Sequence, residues 1–132
     1  MTHTVASFCI TPDGTLLQSY HRHDYKTYKD ANGETYMLDG GCDYQHRSVN
    51  KEPAEYFTVT TDDTHAMQRK AFHWGTRGKD GKQPLEWKPL RALDTEHIQA
   101  ILDTQHHIPD YLRKLFSDEL EYRKQVSIPH KL

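Results

Sequence analysis

The hydrophobic period of the chain changes at residues 61–63, and this change constrains the fold more than any other feature. Before it, short stretches rich in β-branched and aromatic residues alternate with turn signals. After it, apolar residues recur at helical spacing. Strands that come first and helices that follow are typical of the α+β class. We therefore predict an antiparallel sheet of hairpins, with a helix and a C-terminal helical hairpin packed on one face.

Two turn motifs organise the strand-forming half. The proline and glycine of residues 11–14, TPDG, suit a turn that follows a strand over residues 5–10. Asn32-Gly33 suits a two-residue hairpin turn at positive φ, because glycine has no Cβ and asparagine tolerates the left-handed region. The other predicted strands cover residues 16–20, 25–29, 34–38, 44–49 and 56–60.

The second half begins with a helix predicted over residues 63–74, with Gly75 as its C-cap. A solvated loop over residues 76–83 and an edge strand over residues 85–90 follow it. Asp94 or Thr95 then caps a second helix.

The last predicted helix starts near Pro109 and forms a helical hairpin with the helix before it. At 132 residues the chain fits one α+β domain, over residues 1–126, followed by a frayed tail over residues 127–132.

Composition excludes several partners and compartments. The chain has 17 Lys and Arg against 19 Asp and Glu, so it lacks the broad basic field of a non-specific nucleic-acid binder. It also lacks an apolar run near the roughly 20 residues that span a bilayer, and its first residues do not resemble a signal peptide. We expect a cytoplasmic protein without a membrane partner. Cys9 and Cys42 are too few to suggest a disulfide scaffold.

Polar and aromatic side chains concentrate between residues 21 and 44, HRHDYKTYKDANGETYMLDGGCDY. Strand alternation predicts that His21, His23 and Tyr25 share one face, which we interpret as a binding surface. Gly40 and Gly41 favour a sharp turn, although paired glycines can also let a ligand approach the main chain.

The motifs that mark enzymes are missing. Ten histidines invite a metal hypothesis, but their spacing matches no common zinc pattern. No GxSxG elbow, HExxH helix or GxxxxGK[ST] phosphate loop occurs. The sequence therefore favours a binding protein over an enzyme and indicates no cofactor, while a metal-assisted hydrolase built on the histidines stays open as a lesser alternative.

Two tryptophans stand next to basic residues. Trp74 precedes Arg77, and Trp87 precedes Lys88. Such neighbours suit a ligand with an aromatic base and a phosphate, because the ring can stack on the base and the cation can bind the phosphate oxygens.

Three stretches carry a resemblance that covers most of the chain from His23 to Arg123. They are DYKTYKDANGETYMLDGGCDYQHR, then WGTRGKDGKQPLEWKPL, and HIQAILDTQHHI with a closing ELEYR. They resemble a family of small uncharacterised proteins of tailed bacteriophages. More distantly, the layout is similar to that of the Thoeris anti-defence proteins, which sequester cyclic ADP-ribose-type signals. The resemblance implies a viral accessory protein that acts in the host bacterial cytoplasm.

The leading hypothesis is a counter-defence protein that binds and sequesters a small nucleotide-like signal without degrading it. We expect a homo-oligomer with the pocket between subunits. The candidate ligand-binding residues are His23, Tyr25, Tyr44, Arg47, Trp74, Arg77 and Arg123. The alternative is an inhibitor that masks a host enzyme through the aromatic sheet face or the exposed side of the helical hairpin, with a host defence protein as the expected partner.

Overall fold

The computed structural model describes residues 2–42, 44–78 and 80–127, and the elements below belong to these ranges. The strands are β1 (Thr4–Ile10), β2 (Leu16–Ser19), β3 (Asp24–Lys29), β4 (Thr35–Gly40), β5 (Gln45–Arg47), β6 (Glu55–Thr60), β7 (His73–Thr76) and β8 (Glu86–Pro89). The helices are α1 (His65–Ala71), α2 (Thr95–Thr104) and α3 (Asp110–Ser127), with a short 3₁₀ helix at Leu90–Ala92. This order of elements confirms the α+β class.

The strands form two three-stranded antiparallel sheets and a separate hairpin. The first sheet has the order β2-β1-β6, the second has the order β3-β4-β5, and β7 pairs with β8. Strands β1 and β2 contact β3 and β4, whereas α1 contacts β1 and β6. The first sheet therefore lies between the second sheet and the helices.

Each side of the first sheet has its own core. On the helical side, buried apolar residues of the sheet pack with those of the helices: Val5, Ala6, Val59, Phe72, Leu90, Ile98, Ile101, Leu112, Leu115 and Phe116. Cys9, Tyr36 and Leu38 are buried outside that cluster, among the paired sheets. Burial of these side chains supplies the main favourable free energy of folding.

The two predicted turns form, but the second is longer than expected. Gly14 has a φ of 87°, as the glycine of a proline-initiated turn should. At the other hairpin, Asp30 N donates to Glu34 O at 2.9 Å, so three residues make the loop. Gly33 alone among them has positive φ, at 82°. The two-residue prediction for Asn32-Gly33 is therefore wrong, and the glycine supports a bulged three-residue loop instead.

Helix α1 is shorter than predicted. Thr64 Oγ1 accepts a hydrogen bond from Met67 N and caps its first turn. The helix ends at Ala71, because Phe72 is extended at φ −74° and ψ 130° and leads directly into β7. Gly75 is consequently a strand residue and not a C-cap. Pairing of β7 with β8 overrides the helical spacing of the sequence.

The helical hairpin agrees with the predicted pattern. Asp94 is the N-cap residue of α2, and Pro109 O accepts from Leu112 N at 3.0 Å at the start of α3. Helix α3 continues through Val126 to Ser127, one residue into the predicted tail. The rest of that tail lies outside the described residues.

Candidate functional site

An aromatic cleft of about 440 Å³ opens where the turn after β2 and the β7–β8 hairpin meet the start of α3. Its walls carry seven aromatic or imidazole rings, from Tyr20, His21, Phe72, His73, Trp74, Trp87 and Tyr111. Ligand pockets are typically concave and largely apolar, with a few polar groups that orient the ligand. We call this surface the aromatic cleft.

The ring of Trp87 is held against the backbone of the neighbouring strand. Gly75 pairs with Trp87 in the β7–β8 register, and a Cβ atom on Gly75 would lie 3.0 Å from Trp87 Cη2. The absence of a side chain on Gly75 thus lets the indole approach. The Trp87 ring also stacks with His21, at 4.3 Å between ring centroids and 23° between planes.

Trp74 also lines the cleft and contacts the core. Its ring meets Phe116 edge to face, with 5.3 Å between centroids. It is partly buried and packs against the helical core. Of the candidate residues predicted from the sequence, Trp74 is the one that lines the aromatic cleft.

A buried carboxylate organises the turn that carries His21. Asp24 is buried and its Oδ2 accepts a hydrogen bond from Tyr20 N at 2.7 Å. His21 Nδ1 donates to Arg22 O at 2.8 Å, and its Nε2 lies 3.7 Å from Asp24 Oδ1. These contacts fix the His21 ring beside Trp87 and bring Arg22 to the cleft.

The part of the cleft nearest α3 combines a thiol and a phenol. Cys42 Sγ and Tyr111 Oη lie 3.1 Å apart. The outer face of the Tyr111 ring stacks on His3 at 4.1 Å, with only 7° between the planes. Cys9 and Cys42 are both buried and are not joined in a disulfide.

His23 and Tyr44, two predicted ligand residues, contact each other. His23 Nδ1 lies 2.6 Å from Tyr44 Oη, and the phenol donates to Asp39 Oδ2 at 3.4 Å. Burial and then the Asp39 carboxylate raise the pKa of Tyr44, while the positive charge of Arg22 acts in the opposite direction. The phenol therefore keeps its proton at neutral pH.

The expectation that His21, His23 and Tyr25 share a strand face is wrong. Strand β3 begins at Asp24, whose N–H donates to His21 O at 3.1 Å and so closes a turn. His23 has a φ of 63°, the left-handed region that residues with a Cβ seldom occupy. The turn directs His21 to the aromatic cleft, while His23 contacts Tyr44.

Tyr25 and Arg47 lie on the second sheet, away from the cleft lining. Tyr25 is 63% exposed and stands opposite Asp39 in the β3–β4 register. The Arg47 guanidinium lies 4.9 Å from the centroid of the Tyr56 ring, a cation–π contact within the protein.

The remaining two predicted residues lie elsewhere. Arg77 is an exposed loop residue whose carbonyl accepts from Gln83 N at 2.8 Å. Arg123 donates from Nε to Glu119 Oε2 at 2.7 Å and from an Nη atom to Leu90 O at 3.1 Å. Arg123 therefore fastens α3 to the 3₁₀ helix.

Arg123 belongs to a buried charged group that we call the Glu119 cluster, formed by Glu119, Arg69, Arg123 and His65. The Glu119 side chain is fully buried, and Arg69 binds both of its oxygens at 2.8 Å. His65 Nε2 lies 2.8 Å from Oε1. Burial alone would raise the pKa of Glu119, but the bonds from Arg69, Arg123 and His65 outweigh it and hold the pKa at about 2.

The paired glycines after β4 accommodate the chain's own backbone. A Cβ on Gly40 would lie 2.0 Å from Tyr44 O, and one on Gly41 would lie 2.5 Å from His21 O. This arrangement agrees with the turn interpretation, because the groups that approach the glycines are backbone atoms of the protein.

A second, larger cavity of about 700 Å³ lies between β8 and the start of α2. Its charged lining is mainly acidic, from Glu86, Asp94 and Glu96, with Lys88 as the cation. Glu86 and Lys88 approach each other at 4.0 Å. This charge disfavours an anionic ligand, so the smaller aromatic cleft is the better candidate for the nucleotide-like ligand expected from the sequence.

Sequence reasoning missed most of the cleft. It noted Trp87 beside Lys88 but did not place it in the site, and it omitted Tyr20, Arg22 and His73 as candidates. A usable signal was the pair of tryptophans that flank one glycine-containing loop, since a hairpin there brings both rings to the same region.

The described residues contain neither a cluster of metal ligands nor a membrane-spanning helix. Within residues 2–42, 44–78 and 80–127, no group of three or more His, Cys, Asp or Glu side chains is placed to hold a metal ion. None of the helices in these ranges is long and apolar enough to cross a membrane.

Comparison with known proteins gives no relative. No protein-family model, curated protein or solved structure matches the chain.

Proposed function

We propose that this protein binds a small nucleotide-like molecule, with the base in the aromatic cleft and the phosphate beside Arg22, and holds it without chemical change. The observation that carries the proposal is a cleft of about 440 Å³ whose lining includes seven aromatic or imidazole rings. A cavity of this size lies within the usual range of small-molecule sites.

Stacking supplies the affinity for the base. Trp74 and Trp87 come from paired strands and line the same cleft. An aromatic side chain that stacks on a base contributes about 1 to 3 kcal/mol, and it does so with little preference for one base. Several rings around one cavity would therefore bind a flat heterocycle.

Arg22 is the group best placed to receive a phosphate. It lines the cleft, and its positive charge acts to lower the pKa of Tyr44, so it is also close to the His23–Tyr44 pair. A guanidinium can bind two phosphate oxygens at once. His23 and Tyr44, which the sequence nominates as ligand residues, would lie at the phosphate end of such a ligand.

The resemblance to small phage proteins is what supports a role in counter-defence. A protein that sequesters a host signal needs a stable cleft that holds the signal. The aromatic cleft meets this need within one chain, so a second copy is not required to complete it. The predicted homo-oligomer can be checked by sedimentation with and without ligand.

Intrinsic fluorescence gives a direct test. Both tryptophans of the chain line the cleft, so a stacked base should change their emission. We expect saturable quenching, with heat in calorimetry, for at least one member of a panel of linear and cyclic adenine and guanine nucleotides. Arg22→Gln should weaken binding by about tenfold, since a charge-assisted hydrogen bond contributes about 1.5 to 3 kcal/mol.

Arg77→Gln is the matched control, because Arg77 is exposed and lies outside the cleft lining. It should leave the affinity unchanged. Chromatography of the released ligand should recover it intact. The absence of quenching and heat with every nucleotide contradicts the proposal, and a converted ligand contradicts sequestration.

A protein-binding inhibitor is a second candidate, supported by exposed aromatic rings on the two sheets. Tyr25 is 63% exposed, and Phe57 is 43% exposed where it stacks on Phe8. Aromatic residues are enriched at protein interfaces. Retention of one stoichiometric host protein by the wild type, and its loss with Tyr25→Ser or Phe57→Ser, would favour this function over nucleotide binding.

A further inference from the structure

His73 is a polar ring in the wall of the aromatic cleft, and the structure fixes its tautomer. It is the first residue of β7, and its ring lies 4.5 Å from that of Tyr20, at 47° between planes. Both rings line the cleft. His73 is part-buried, so one edge of the ring faces protein.

The backbone sets the tautomer of His73. Its Nδ1 lies 2.9 Å from Ala71 O, and a carbonyl oxygen can only accept, so Nδ1 carries the hydrogen. Gln18 Nε2 lies 3.4 Å from Nδ1 and donates to the same carbonyl at 3.3 Å, so it does not compete for that hydrogen. Burial lowers the pKa of His73, against a smaller opposing effect of the Ala71 bond, and the ring is neutral at pH 7. Nε2 therefore bears a lone pair.

That lone pair is accessible. No buried side-chain nitrogen or oxygen in the described part of the chain lacks a hydrogen-bond partner. Nε2 of His73 makes no hydrogen bond with any described residue, so it cannot be a buried atom. Because the ring lines the cleft, an acceptor is available to a bound molecule.

We propose that Nε2 of His73 accepts a hydrogen bond from an amino group on the ring of the ligand, which makes His73 a specificity-determining residue for amino-bearing bases. This inference rests on the proposed function and names its ligand class. A purine with a 6-amino group offers the required donor. The same purine without that group offers none, and its binding would leave the acceptor unpaired in a desolvated site.

Two probes isolate this hydrogen bond: adenosine 5′-monophosphate and purine riboside 5′-monophosphate, which differ only by the amino group. We expect the wild type to bind the adenosine compound about tenfold more tightly, since a neutral hydrogen bond contributes about 1 kcal/mol and an unpaired acceptor adds a penalty. His73→Asn keeps a donor for Ala71 O but removes Nε2. It should reduce the preference to about twofold or less while the purine riboside compound still binds.

His107→Asn is the matched control, because His107 is exposed in the turn before α3. It should keep the full preference. Circular dichroism and thermal unfolding of His73→Asn show whether the fold is retained. If that variant does not fold, His73→Leu, which has no hydrogen-bond acceptor in its side chain, replaces it in the same comparison.

The outcomes separate this inference from the proposed function. Equal affinity of the wild type for the two probes, or a preference that survives the loss of Nε2, overturns the role of His73 and leaves nucleotide binding intact. Failure of both probes and of the wider nucleotide panel overturns both.

Discussion

The Glu119 cluster and the aromatic cleft use polar groups in opposite ways. In the cluster, one buried carboxylate receives hydrogen bonds from two guanidinium groups and lies 2.8 Å from an imidazole nitrogen. In the cleft, many rings surround a cavity, and the imidazole of His73 keeps an acceptor free of any described partner. The first arrangement satisfies its groups within the protein, whereas the second leaves stacking surface and one acceptor for another molecule.

This difference shows how to weigh charged residues in a sequence of unknown function. Arg123 and Arg22 are equivalent as sequence letters. In the fold, Arg123 is engaged by Glu119 and Leu90, while Arg22 lines a cavity. A buried charge is retained when it is paired, and its removal leaves the partners uncompensated. A residue that lines a cleft, such as Arg22, can in addition contact a bound molecule.

The largest expected effect is on stability, from Glu119→Gln. The substitution preserves shape but removes the charge that compensates Arg69 and Arg123. We expect the free energy of unfolding in urea to fall by about 3 to 5 kcal/mol. Glu121→Gln, on an exposed position of the same helix, should change it by less than about 0.5 kcal/mol. If both substitutions lowered the free energy of unfolding equally, the Glu119 cluster would contribute no more to stability than an exposed position does.

Acid should reveal the same cluster through the protonation of Glu119. The pKa is about 2 in the folded protein against 4.5 ordinarily, so this carboxylate stabilises the fold fully above pH 4.5. The contribution is lost as the pH falls toward 2 and amounts to about 3 kcal/mol, at about 1.4 kcal/mol per pKa unit. Carbon-13 NMR of glutamate carboxyl groups should find one that stays ionised near pH 3. If every glutamate titrates near pH 4, the cluster does not act as described.

On the cleft side, Gly41→Ala tests how tightly the wall is built. Gly41 has a φ of 98°, and a Cβ there would lie 2.5 Å from His21 O and 2.8 Å from Ser19 O. Strain and overlap together should reduce the free energy of unfolding by about 2 to 4 kcal/mol. Gly14→Ala is the control, because Gly14 also has positive φ but has open space around it. It should cost about 1 kcal/mol, and thermal unfolding of both variants measures the gap.

The smallest expected effect is on ligand affinity, from Trp87→Ala. Loss of the indole that stacks on His21 should weaken nucleotide binding by about tenfold to a hundredfold, equal to about 1 to 3 kcal/mol of stacking. Trp87→Phe keeps a ring and should retain most of the affinity. Calorimetry is the suitable measurement, because the substitution also removes a fluorophore. Unchanged affinity in the alanine variant would argue that the base does not bind in the cleft.

Local patterns predicted most elements but not the positions that depend on distant partners. The apolar stripes of α2 and α3 and the strand character of β6 are local properties, and they formed as expected. The end of α1 did not, because Phe72 and Trp74 are drawn into the β7–β8 hairpin. Rules based on neighbouring residues cannot predict that pairing, because it depends on a strand further along the chain.

The candidate site was harder to predict than the fold, for the same reason. One turn, closed by the N–H of Asp24, directs His21 to the cleft and His23 to Tyr44. The alternation of residues along a strand cannot predict this turn. Arg123 was a candidate ligand residue because the sequence does not show that its partner Glu119 is buried. That burial arises only when α3 packs on α1 and the 3₁₀ helix. Trp74, a candidate ligand residue from the sequence, lines the cleft, and its role in binding stays a prediction.

The bond from Arg123 to Leu90 O joins the two regions compared above. Leu90 follows β8 directly, three residues beyond Trp87. The Glu119 cluster therefore stabilises, from a distance, the side of the aromatic cleft that carries Trp87. Substitutions around Glu119 should therefore change the ligand affinity, although these residues do not touch the ligand. We expect sequence changes in the Glu119 cluster and in the aromatic cleft to occur together during evolution.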